Sequence, residues 1–294
     1  MILTYSKENI RKFLLEKQLL LEPRKITGYK GIERVFSKLG CIQYDPQNIC
    51  GRSIDLTLQA RVGNILISDY FNWLYKKNSG IEIFDKELCV VPYNELNNRR
   101  KYFSDSRKKR LGTFISENRE KLDEILNYIK IIGPICSADL SENKKVEISW
   151  APIRWNKFAL DNLWKNGELV IDYRKGNRKF FNLPQKKYGD SYSFETNNNL
   201  NRMHIKKRIE SVGLLPRSGT GGGWLGIGLG KEISILISKM ITDNELIEIK
   251  IDGIKDIYVI NSEDYLLIEK IKDKKNKKKC LFSLHWIISF GTGI

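Results

Sequence analysis

Two stretches of the chain carry one alternation of apolar and polar positions and align without a gap. "NGELVIDYRKGNRKFFNL" (166–183) lies on "DNELIEIKIDGIKDIYVI" (243–260), matching Glu168 with Glu245, Leu169 with Leu246, Gly176 with Gly253 and Phe181 with Tyr258. Each copy reads as two short strands joined at a Gly-containing turn. Each follows a stretch of helical spacing, "RWNKFALDNLWK" before the first and "KEISILISKMI" before the second. A looser third version stands earlier, where "ISDYFNWLYKK" precedes "GIEIFDKELCVV". Helix followed by hairpin is the output end of a winged helix. The pattern therefore predicts a helix-rich α+β fold of three tandem winged-helix units, over 1–112, 113–190 and 191–270, with a basic tail at 271–294.

Two further stretches sharpen this. "SENREKLDEILNYIKIIG" predicts a helix capped by Ser116, with Glu120 near its first turn and an apolar stripe at Leu122, Ile125, Leu126 and Ile129. "LGCIQYDPQNICGRSIDLTLQARV" (39–62) sets polar residues on an apolar frame of Leu39, Ile42, Ile49, Ile54, Leu56 and Leu58. Asp45-Pro46 there reads as a helix start, with the carboxylate as cap and proline at the first helical position. That reading does not require Gln43, and it leaves Asn48, Arg52, Gln59 and Arg61 without a role. The run "SGTGGGWLGIGLG" (218–230) fails the Walker pattern, because Gly230-Lys231 is followed by Glu232. It reads as a connection anchored by Trp224 and Leu225.

Charge adds a partner. Lys and Arg number 51 against 35 Asp and Glu, a formal net charge of +16 over 294 residues, which favours a polyanion such as nucleic acid. The cations cluster at the tip of the hairpin in 166–183, as Arg174, Lys175, Arg178 and Lys179 around Gly176, where they would neutralise phosphates. A second cluster holds Arg99, Arg100, Arg107, Lys108 and Lys109, in "NNRRKYFSDSRKKRLGTF". No apolar run has the roughly 20 residues of a spanning helix, and the charged N-terminus lacks a signal core, so a soluble, cytoplasmic protein without a membrane partner is expected. Five cysteines (41, 50, 89, 136 and 280) without a CxxC pair, and two distant histidines, His204 and His285, indicate no disulfide framework, metal or other cofactor.

The 39–62 segment resembles the catalytic segment of the AlkZ/YcaQ winged-helix DNA glycosylases. There a Gln-x-Gln or Gln-x-Asp motif precedes "xxNVxxRAxxLxLxxRxG"-like sequence, and Gln43-Tyr44-Asp45 falls on the Gln-x-Asp form. The resemblance runs on through "GIEIFDKELCVVPYNE", "GPICSADL", "RWNKFALDNLWKNGELVI" and "RIESVGLLPRSGTGGGWLGI" to about residue 282. It implies hydrolysis of the N-glycosidic bond of N3- or N7-alkylated purines in double-stranded DNA, with interstrand crosslinks as further substrates. An alkylated purine is already cationic and needs no strong general acid. A carboxylate stabilises the oxocarbenium-like sugar, and with an amide neighbour it places a water. Asp45 and Gln43 are those residue types, and two apart on an extended segment they share a face. Arg52 and Arg61 fall on basic positions of the family segment, as phosphate contacts or as partners of Asp55. A non-catalytic winged-helix DNA-binding protein, or a truncated inactive remnant, is the alternative.

After "KKNKKKC" the resemblance stops where relatives continue toward a β-rich domain. Read two nucleotides later, the codons of Ser283 to Ile294 can spell Pro-Ala-Leu-Asp-Asn-Phe-Ile-Trp-Asp-Arg-Asp, close to the family's next segment. The expectation is a frameshifted tail and a missing C-terminal β-domain.

Overall fold

The three hairpins that the alternation predicts all form. They pair Gly80–Phe84 with Leu88–Pro92, Val170–Lys175 with Arg178–Asn182, and Leu246–Ile251 with Ile257–Asn261. The computed structural model describes residues 2–22, 24–45, 47, 49, 51–84, 87–96, 105–141, 144–147, 152–192, 202–224 and 227–273, with the backbone alone at 105–108, 191 and 273. The expected tail from 274 onward, His285 and Cys280 lie outside these residues.

Ahead of each hairpin the chain keeps one order: a helix ended by glycine, a short strand, then further helix. The three leading helices are Gly28–Leu39, Arg119–Ile132 and Arg202–Val212. Their closing glycines, Gly40, Gly133 and Gly213, stand at φ of 69°, 99° and 105°, where a side chain would strain the backbone. Each donates its N–H to a carbonyl four residues back, on Phe36, Ile129 and Ile209. Two residues past each glycine, Ile42, Ile135 and Leu215 are buried. There the chain pairs with the second strand of its hairpin, through the strand Ile42–Gln43, the single bridge of Ile135 to Phe181, and Leu215 opposite Val259. The helical stretch before each hairpin is Ile67–Phe71 running into a π-helical turn at Asn72–Lys76, then Trp155–Asn166, then Gly230–Thr242.

The helix Arg119–Ile132 buries Leu122, Ile125 and Ile129 at the predicted spacing. Its start differs from expectation. The preceding basic segment is itself helical over Asp105–Glu117, so Ser116 lies inside that helix and its hydroxyl donates to the Thr113 carbonyl. Asn118 holds the cap position. In the glycine-rich run Trp224 is buried, with its indole N–H on the Pro216 carbonyl at 2.9 Å. Leu225 lies outside the described residues.

Contacts divide the chain into two units, each discontinuous. One draws on Met1–Ile42, Ser53–Asp69 and Asn198–Ile294, the other on Gln43–Arg52 and Tyr70–Asn197. In the first, the N-terminal strand Leu3–Tyr5 lies parallel to Leu246–Ile251, with Leu3 opposite Ile249. Tyr5, Ile10, Phe13, Ile249, Ile260 and Ile268 fill the core beneath it. In the second, Leu122, Ile125, Leu160, Leu163, Trp164 and Phe181 pack together. Among the described residues no helix is long and apolar enough to cross a membrane.

The first unit is closed by a buried ion pair. Lys17 Nζ lies 2.9 Å from both carboxylate oxygens of Asp264, the two side chains being 5% and 13% exposed. Asp264→Ala leaves the ammonium buried without its carboxylate, which costs about 3–5 kcal/mol in such sites. Urea unfolding of the variant should show a loss of that order; a loss below about 1 kcal/mol would mean the pair is not desolvated in solution.

Candidate functional site

Gln43, Tyr44 and Asp45 stand at the end of the first short strand, an edge of the sheet ordered Ile42–Gln43, Leu88–Pro92, Gly80–Phe84. Tyr44 extends the pairing, its N–H donating to the Leu88 carbonyl at 2.8 Å. Alternation along an extended backbone sends Tyr44 to one face and its two neighbours to the other. Burial follows this: Tyr44 is 1% exposed, Gln43 is exposed and Asp45 half-buried. The helix expected to start at Asp45 does not form there, and the next helix begins at Ser53. Instead Asp45 Oδ1 accepts from the Gln47 N–H at 2.9 Å, so the carboxylate closes an Asx turn. Pro46, Asn48 and Cys50 lie outside the described residues.

Beneath the motif sits a charged cluster that sequence reading missed. The guanidinium of Arg174 lies over the Tyr44 ring, 4.4 Å from its centroid. Arg174 Nε and Nη2 donate to Glu82 Oε1 and Oε2 at 2.8 and 2.6 Å, and the two side chains are 2% and 0% exposed. The Tyr75 hydroxyl donates to the same Oε1 at 2.5 Å. Bidentate geometry and this third donor are what let such a pair survive desolvation. Burial alone would lower Arg174; the hydrogen bonds and charge of Glu82 outweigh it and hold the cation above the usual arginine value. Burial pushes the Tyr44 hydroxyl up, against the opposing field of Arg174. Arg52 stacks over Phe71 at 4.8 Å, with Nη1 3.4 Å from the Tyr44 hydroxyl, a contact too long to weigh much.

Several of the cations expected at phosphates meet acceptors within the protein. Arg174 is inside the fold, as described. Lys179 turns back onto Asp161 at 2.8 Å and over the Trp164 ring at 4.5 Å. Arg61 is buried, donating to the carbonyls of Gln18 and Thr57 at 2.8 and 2.9 Å, and burial lowers it to about 10. Its guanidinium is bonded to backbone acceptors inside the fold. Lys175 and Arg178 remain exposed at the hairpin tip, where Lys175 lies over the stacked rings of Tyr173 and Phe180. Lys109 is exposed on the helix Asp105–Glu117. Of Arg107 and Lys108 the backbone alone is described, and Arg99 and Arg100 lie outside the described residues. His204 and two cysteines, Cys89 and Cys136, are buried. Among the described residues no three His, Cys, Asp or Glu gather as metal ligands. A cavity of about 470 Å³ lined by Leu126, Gly167, Glu168, Leu183, Pro184 and Tyr192 includes none of the candidate residues.

The architecture is a helix-rich α+β fold in which helix, short strand, helix and hairpin follow one another repeatedly. It is shared with a solved DNA glycosylase, AlkZ of Streptomyces sahachiroi, at a TM-score of 0.64 over 93% of this chain and 73% of that one. Identity between the two is 16%, so the likeness establishes the fold. No family model matches the sequence.

Burial decides what each cation is worth here. Glu82→Ala strands Arg174 in the interior and should cost about 3–5 kcal/mol of unfolding free energy. Arg178→Gln, at an exposed tip, should change stability by no more than about 0.5 kcal/mol. Parallel urea titrations measure both, and equal losses would show that the Glu82–Arg174 pair is solvated.

Proposed function

We propose that this chain is a DNA glycosylase of the AlkZ/YcaQ type, hydrolysing the N-glycosidic bond of N3- or N7-alkylated purines in double-stranded DNA. The observation that carries the reading is an exposed amide, Gln43, and a half-buried carboxylate, Asp45, two residues apart at a strand end in a fold shared with a DNA glycosylase. Alkylation makes the departing purine a cation, so the bond needs no strong acid to break. Asp45 then acts twice: its charge stabilises the oxocarbenium-like sugar, and its oxygen takes a proton from the attacking water. Gln43 orients that water or the sugar. An N7-linked interstrand crosslink presents the same cationic purine and is a further substrate under this chemistry.

Lys175 and Arg178 at the hairpin tip and Lys109 on its helix, together with half-buried Arg52, supply the phosphate contacts in this reading. Winged-helix wings lie along a backbone in this manner, and the helix, short strand, helix and hairpin order supports winged-helix units. The competing reading, a DNA-binding protein without catalysis, rests on the same exposed cations.

Release of base from a duplex carrying one N7-methylguanine tests the proposal. The chain should liberate the base, and Asp45→Asn should slow release by about 10²–10⁴-fold. Equal, slow release by both proteins, with salt-sensitive DNA binding retained, would establish the non-catalytic reading. A separate outcome concerns the tip: Lys175→Gln with Arg178→Gln should reduce the slope of log affinity against log salt by about 2. An unchanged slope would remove the hairpin from the interface.

A further inference from the structure

We infer that Arg174, clamped by Glu82, is a positioning residue for the Gln43 and Asp45 pair and acts through the ring of Tyr44. The inference rests on the glycosylase reading above. Its basis is the mismatch between what the motif must hold and what holds it. Gln43 belongs to a two-residue strand at a sheet edge, followed directly by an Asx turn. A strand at a sheet edge is paired with a neighbouring strand on one side alone. Yet two side chains that place one water must be held to within about 1 Å, since errors of that size cost about 10²-fold in rate.

Tyr44 adds a constraint on both at once. It is the residue between the pair, so any rotation of its backbone swings Gln43 and Asp45 together. Its N–H is held by Leu88 at 2.8 Å and its ring by the Arg174 guanidinium at 4.4 Å. Arg174 is in turn fixed at two nitrogens by a carboxylate with no solvent exposure, and that carboxylate accepts a further bond from Tyr75. The donors place a flat cation against a flat ring. Lysine could balance the charge of Glu82, but it offers neither the plane nor the fork. The fork lets the buried pair survive desolvation, and the plane of the same cation is what bears on the Tyr44 ring.

The test uses the full chain with Arg174→Lys, and separately Tyr44→Leu, which leaves the Glu82–Arg174 pair in place. Three quantities are read: the single-turnover rate of N7-methylguanine release with protein in excess, the Kd for the same duplex, and hydrogen exchange at the Gln47 amide. Both variants should lose about 10–100-fold in rate, with Kd within about threefold of the starting protein. Gln47 exchange should accelerate, because the Asp45 carboxylate that holds this amide is no longer fixed. Should Arg174→Lys fail to fold, Tyr44→Leu decides alone. Rates equal to the starting protein, or rate and affinity falling in step, would overturn the inference. If the unsubstituted chain releases no base, the glycosylase reading fails on its own. The exchange measurement still decides positioning in that case, and unchanged protection of Gln47 overturns it.

Discussion

The backbone bond from the end of a short strand to the first carbonyl of a hairpin's second strand governs the rest of this molecule. Tyr44 donates to Leu88 at 2.8 Å, and Arg217 donates to Ile257 at 2.9 Å, each four residues past a helix-ending glycine. Side chains alternate with a period of two, so a slip of one residue would turn each of them to the opposite face. At the first site that slip would bury Gln43 and Asp45 and expose the Tyr44 ring. Burying a carboxylate and an amide without partners costs several kcal/mol, so the apolar face beneath the sheet enforces the register. The presentation of the motif is thus a by-product of strand pairing, and the burial of Tyr44 is what makes it unambiguous.

Desolvation explains which cations the fold keeps inside. Lys17, Arg61, Arg174 and Lys187 are all buried or nearly so, and each meets oxygen acceptors: Asp264, backbone carbonyls, Glu82 and Asp172 respectively. Lys187 shows the balance most plainly, since burial lowers it although Asp172 pulls the other way. Counting these residues toward a polyanion-binding surface overstates it. The formal charge of +16 is a property of composition; the field outside the protein comes from residues such as Lys109, Lys175 and Arg178. Repeat-matched acids follow similar logic. Glu168 and Glu245, aligned by sequence, each pair with the first residue of the helix opening their own copy, Arg119 and Arg202.

Local pattern made the hairpins and the face of the helix Arg119–Ile132 readable, because their periods of two and 3.6 are written into neighbouring residues. The motif itself was found by its order and context. What escaped reading is non-local. Nothing near Leu3–Tyr5 announces a parallel partner at Leu246–Ile251, more than two hundred residues away. Arg174 looked like its basic neighbours at the hairpin tip, and only the position of Glu82, 92 residues earlier, makes it an interior residue. Asp45-Pro46 carries the right signals for a helix start, yet the next helix begins at Ser53 and the carboxylate accepts from the Gln47 N–H instead. Three glycines at matched positions, Gly40, Gly133 and Gly213, do mark the repeat within the sequence itself.

The repeated strand ends also bear on why chemistry would sit at one of them. Past their glycines the three copies carry Gln43-Tyr44-Asp45, Cys136-Ser137-Ala138 and Pro216-Arg217-Ser218. All three follow a buried Ile or Leu that pairs with its hairpin, so the backbone offers comparable platforms. The side chains do not. An oxocarbenium-like sugar is a cation; Arg217 would oppose it, and the second copy has no charge to offer. Its Asp139 turns back to accept from the Cys136 N–H at 2.7 Å, which closes that end as a structural turn. Under the proposed reaction, function is a matter of which residues occupy one of several equivalent strand ends, and the fold around them is permissive without being sufficient. The buried cluster at Glu82 and Arg174 fits that view, because its guanidinium lies against the ring of the residue between the two polar groups.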